Sequence, residues 1–130
     1  MKLTLVLFSL VLIRPIFSQQ FRPSRKLVSV HENKVEKITE DSLHSTFLIT
    51  IPHKVLLHYH KIHTENIVVL SGKALMKLGS DTLKIQKGDQ ITIPKGTIHE
   101  IIRVISRKPL RVYSIQSPKF DGTDRYFVEP

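Results

Sequence analysis

From His44 onward, apolar and polar positions alternate with a period of two. Thr46–Ile51 is rich in β-formers and stops at Pro52, and Val55–His60, Asn66–Leu70 and Ala74–Leu78 follow. Gly79-Ser80-Asp81 is a hairpin signal from which Thr82–Gln86 returns, and Lys87-Gly88-Asp89 is a further turn. Gln90–Ile93, Ile98–Ile105 and Leu110–Gln116 complete the set. Short strands divided by Gly, Pro and Asp turns predict an all-β sandwich or barrel, and no helical periodicity runs long enough to compete.

Upstream, Glu32–Asp41 alternates charge with Val35 and Ile38 and reads equally as a helical turn or a loop. Leu27–Val30 reads as a short first strand, and residues 19–26, polar and basic with Pro23, as a flexible arm. The expected organisation is therefore an N-terminal arm with a first strand over 19–42 and a folded domain with a C-terminal tail over 43–130. At this length the chain supports one hydrophobic core.

The first residues belong to another class. Lys2 supplies a positive start, Leu3–Ile13 is an apolar run interrupted by Thr4 and Ser9, and Ser18 offers a small residue before Gln19. This is the pattern of a signal peptide over 1–18, and it predicts a secreted or periplasmic protein. The run is shorter than the roughly 20 apolar residues a membrane span needs, so no membrane association is expected after processing.

Cysteine is absent, which excludes disulfides, thiolate ligands and thiol nucleophiles. Of 20 basic residues, Lys2 and Arg14 leave with the leader, so 18 stand against 11 acidic ones. The positive charges are spread along the chain apart from Arg22, Arg25 and Lys26. That distribution reads as solvated surface, with attraction for acidic substrates as the lesser reading and nucleic acid not expected.

The chemistry concentrates in two clusters. His58-Tyr59-His60 is followed by Glu65 and Gly72, and Gly88 by Pro94, Gly96 and His99. Without thiols, three imidazoles and a carboxylate make a nitrogen-and-oxygen set for one divalent transition metal, with Fe, Mn, Ni, Co and Zn all admissible. Side chains alternate across a strand, so His58 and His60 share a face with Leu56, and His99 shares one with Ile101 and Arg103. Glu65 has the opposite parity to His58 and His60, so a turn is expected at Lys61–Thr64; beyond it Ile67 and Val69 continue the inward face. An apolar cavity lined by Ile67, Val69, Ile91, Ile93 and Ile101 would suit an organic ligand.

These residues resemble the two motifs of the cupins, H-x-H-x(4)-E-x(6)-G and G-x(5)-P-x-G-x(2)-H, with Arg103 where the second motif would end in asparagine. The resemblance covers roughly residues 43–117 and implies a double-stranded β-helix, the cupin jelly-roll barrel, with His58, His60, Glu65 and His99 as metal ligands. IVVLSGKA at Ile67–Ala74, the IPKGTIH run and the VYSIQSPKFDGTDRYFVE ending look most like the cupin domain of type II mannose-6-phosphate isomerases.

Two further residues are candidates for catalysis. His63 reads as an alternative ligand or a base beside the metal, set against a solvated turn residue. Arg103 reads as a clamp for a substrate carboxylate or phosphate, set against a wet position at the barrel mouth. Tyr59 and Tyr113 read as packing residues, and His31, His44 and His53 as surface or core. Three functions compete: a metal-dependent isomerase, epimerase or lyase on a small sugar-like or acidic molecule, a cupin dioxygenase, and a non-catalytic carbohydrate or small-molecule binder. A homodimer is compatible with each.

Overall fold

The computed structural model describes residues 31–129; the signal-peptide reading and the strand expected at Leu27–Val30 lie outside them. Ten strands and no helix form among the described residues: β1 (Lys34–Glu40), β2 (Ser45–Ile51), β3 (Val55–Tyr59), β4 (Thr64–Ser71), β5 (Lys73–Leu78), β6 (Asp81–Gln86), β7 (Gln90–Ile93), β8 (His99–Val104), β9 (Leu110–Ser117) and β10 (Tyr126–Phe127). They pair antiparallel in two sheets, ordered β1-β2-β9-β4-β7 and β10-β3-β8-β5-β6. The fold is the all-β jelly roll that the alternation and the motifs both indicate.

Between the sheets lies a core of Ile51, Ile67, Val69, Met76, Ile85, Ile93, Ile101, Leu110 and Val112. β4 shows how it is built: Glu65, Ile67 and Val69 are buried, while Asn66 and Val68 face partly outward. Gly72 ends this strand with φ at +86°, and a Cβ there would lie 2.7 Å from the Pro109 carbonyl oxygen, so backbone approach and conformation both require glycine.

Two local expectations change. Glu32–Asp41 contains a strand rather than a helical turn or loop; β1 pairs with β2 at the sheet edge, where it is almost wholly exposed and so carries no one-sided apolar signal. The tail of the domain supplies β10, whose Tyr126 and Phe127 pair with Tyr59 and His58.

Candidate metal centre

His58 stands directly across from His99 on the paired strands β3 and β8, and His60 follows just after β3 ends. All three rings are buried, with centroids 4.2 Å (His58–His99), 5.3 Å (His58–His60) and 5.5 Å (His60–His99) apart. One nitrogen from each falls within 4.8 Å of the others, so the three could hold one metal ion.

The backbone chooses which nitrogen. His58 Nδ1 lies 2.7 Å from the Leu56 carbonyl, His99 Nδ1 lies 2.9 Å from that of Thr97, and His60 Nδ1 bonds the carbonyl of Asp124. A carbonyl only accepts, so each Nδ1 carries the hydrogen and each neutral ring keeps its lone pair on Nε2, the arrangement metal-binding histidines use.

Glu65, the first inward residue of β4, enters from the opposite sheet. Its Oε2 lies 3.3 Å from His99 Nε2 and 3.5 Å from His60 Nε2, while Ser114 Oγ donates to its Oε1. Those two separations exceed the roughly 2.7–2.9 Å of a charge-assisted hydrogen bond. The His60 and His99 Nε2 atoms are accordingly buried without a hydrogen-bond partner. Such orphaned atoms are costly, and donors bonded at about 2.1 Å to an octahedral ion sit about 3 Å apart. The donor set therefore fits a divalent cation.

Electrostatics agree with that reading. Burial, reinforced by electrostatic interaction with neighbouring His99, pushes His58 down to about 4. Burial would raise the Glu65 carboxyl, but contacts from His60 and His99 and the Ser114 hydrogen bond prevail and hold it well below the usual range. Burial likewise opposes charge on His60, but Glu65 and the Asp124 carbonyl overcome it and raise its pKa. A proton between these groups is favoured, and a cation would take its place.

An apolar pocket opens beside the cluster. It is lined by His58, Glu65 and His99 with Ile49, Ile67 and Met76 among others, and its cavity volume is about 70 Å³. Of the five residues expected to line it, Ile67 and Ile101 do so, whereas Val69 and Ile93 are buried in the core and Ile91 packs partly buried against it.

Two catalytic candidates are relocated. Arg103 is exposed and paired with Leu75. Met76 faces Ile101 while the adjacent Leu75 faces Arg103, so Ile102 is an extra residue that shifts the parity of β8. Arg103 thus loses the face it would have shared with His99. A register shift between Val55 and His58 likewise leaves Leu56 exposed rather than on the His58 face.

His63 is buried, not solvated. Its Nδ1 donates to the Asp124 carboxylate and its Nε2 lies 3.0 Å from the Lys119 carbonyl oxygen, so neither nitrogen is available to a metal. Tyr59 packs as expected, stacked on Tyr126 at 5.5 Å. His31 and His53 are exposed, and His44 pairs with Asp41 at 3.1 Å.

Asp124 is the site-organising residue that sequence reasoning missed. It is 1% exposed, and its carboxylate accepts the backbone N–H groups of Lys61, Ile62 and His63 at 2.8, 2.9 and 3.0 Å. It thereby shapes the turn that reverses parity between His60 and Glu65, while its own carbonyl orients the His60 ring. From the other motif, the Gly96 N–H binds the His60 carbonyl at 2.6 Å.

Comparison with known proteins places this barrel. The chain is 37% identical over 101 residues to an uncharacterized protein of Aquifex aeolicus, covering 78% of this chain and 82% of that one. It is 32% identical over 82 residues to one of Methanocaldococcus jannaschii, covering 63% and 65% respectively. Among solved structures, the Streptomyces nucleoside dehydratase PAC13 superposes with a TM-score of 0.64 at 18% identity, covering 76% of this chain and 80% of that one. KdgF from Halomonas does so with 0.63 at 17%, covering 72% and 86%. The cupin domain of Schizosaccharomyces pombe Cnp3 does so with 0.62 at 16%, covering 66% and 64%. Residues 47–116 match the family description of the cupin domain, and with both motifs and the jelly roll in place, the chain belongs to the cupin family.

Proposed function

We propose that this protein is a metal-dependent enzyme that isomerises, epimerises or eliminates from a small sugar-like or acidic molecule, using His58, His60, His99 and Glu65 as ligands to one divalent transition metal. The observation that carries this reading is the pair of buried, unpartnered Nε2 atoms of His60 and His99, aimed beside the Glu65 carboxylate at the edge of an apolar pocket. A metal held there would supply Lewis acidity, polarising a substrate oxygen and easing loss of a neighbouring proton or leaving group.

The chain's own groups do the rest. Three Nδ1–H bonds to backbone carbonyls fix the imidazoles. Ser114, His60 and His99 keep Glu65 ionised against the cost of its burial, which holds it out of bulk water. The apolar wall excludes water, which strengthens each polar contact inside. The dehydratase of similar fold supports elimination as chemistry a barrel of this shape can host. The isomerase-like look of Ile67–Ala74 and of the chain ending supports the isomerase variant. We also propose export, on the leader pattern of residues 1–18, with Gln19 as the mature N-terminus.

The test is turnover. Protein reconstituted with Fe, Mn, Co, Ni or Zn should convert a member of a panel of sugars, uronates and hydroxy acids without consuming oxygen, and chelation should abolish the conversion. Turnover that demands oxygen would make the protein a dioxygenase instead. Binding of panel members with no turnover under any of these metals would leave a binding module and overturn the enzymatic reading.

A further inference from the structure

The structure assigns to Arg125 the recognition of a substrate carboxylate at the mouth of the metal pocket. This rests on the proposed metal site and adds to it the class of ligand, a small monocarboxylate.

Two observations place Arg125 there. It lines the same pocket as His58, Glu65 and His99. β10 pairs with β3 through Phe127 and His58 and through Tyr126 and Tyr59, and Arg125 directly precedes this ladder. Arg125 lines the pocket, while the adjacent Tyr126 stacks on Tyr59 and does not.

The segment that carries Arg125 is anchored on either side. Asp124 is buried beneath the turn after His60, and Phe127 packs near the His58 ring. No carboxylate forms a salt bridge with Arg125 among the described residues. An arginine fixed at its backbone and unpaired at its guanidinium offers its planar fork to an incoming oxyanion.

Size and charge select the partner. A cavity of about 70 Å³ lies far below the roughly 300–1,000 Å³ of common ligand pockets. It admits the reacting end of a small molecule, and the remainder projects past the rim. Glu65 and Glu100 also line this pocket, so with a dication and Arg125 present it stays only weakly positive. That balance suits a monoanion such as a carboxylate better than a phosphate dianion.

The experiment compares wild type with R125Q, both loaded with Mn(II), the metal content of each being measured first. Glycerate, its uncharged amide and inorganic phosphate serve as probes in calorimetry. R125Q should retain its metal, bind glycerate about tenfold or more weakly, as loss of a charged hydrogen bond implies, and bind the amide as wild type does. Equal glycerate affinity in the two proteins, or no glycerate binding by metal-loaded wild type, overturns the assignment. A larger loss for phosphate than for glycerate overturns the choice of carboxylate. Failure of wild type to hold metal refutes the underlying site instead, and it shows in the metal measurement before any probe is added.

Discussion

Strands β4 and β8 each deliver one residue to the cluster, Glu65 and His99, yet they treat their remaining residues differently. β4 keeps its period of two through Glu65, Ile67 and Val69, because it pairs without a shift with β7 and runs in register with β9 as far as Val69. β8 keeps its period only to Ile101. Beyond it the ladder with β5 slips, Ile102 is 37% exposed and Arg103 faces away from the site. Both strands are central and paired on two sides; an unshifted ladder transmits a sequence pattern faithfully, whereas one extra residue reverses every later side chain.

The largest stability effect bears on the turn that makes β4's parity possible. Asp124→Ala removes the acceptor for three backbone N–H groups and for His63, and should destabilise the fold by about 3–5 kcal/mol, the range for breaking a buried charged network. Chemical denaturation checks this. Burial works against ionised Asp124, but the hydrogen bonds from Ile62, His63 and Lys61 win and hold its pKa well below the usual value. Its folded pKa is depressed, so its contribution is fully present above the unfolded pKa of about 4 and fades as pH falls through the folded one. Wild type should therefore lose stability below about pH 4 more steeply than Asp124→Asn.

Next comes the pair that straddles the slip. Ile101→Ala should cost about 2–4 kcal/mol as a buried truncation, and Ile102→Ala under about 1 kcal/mol. Similar costs at both positions would contradict the bulge. Gly72→Ala, which must place a Cβ against the Pro109 carbonyl at positive φ, should cost about 1–3 kcal/mol and lower Tm without altering metal content. The smallest effect is expected at Arg103: replacement by Ala should leave metal content unchanged and shift stability by less than about 0.5 kcal/mol. A lost ligand affinity there would return Arg103 to the pocket.

The same contrast explains how much could be read from the sequence. Eight of the ten strands were legible, because half-buried strands alternate and their turns carry Gly, Pro and Asp. β1 was not: Lys34, Glu36, Lys37 and Glu40 leave both its faces polar. The cluster of His58, His60, Glu65 and His99 was legible because imidazoles and a carboxylate at fixed spacing have few other uses. Asp124 was not, since the groups it binds are backbone amides some 61–63 residues away, which no side chain marks. His63 was misjudged for the same reason, its burial depending on Asp124.

The central claim is that His58, His60, Glu65 and His99 form one metal site, and metal stoichiometry tests it most directly. After reconstitution with Fe, Mn, Co, Ni or Zn and removal of excess, elemental analysis should find about one equivalent per chain in wild type and less than about a tenth in His60→Ala and Glu65→Ala. Circular dichroism should show both variants folded, and His63→Gln should retain metal in whatever fraction remains folded. Less than about a tenth of an equivalent in wild type with every one of these metals would contradict the account.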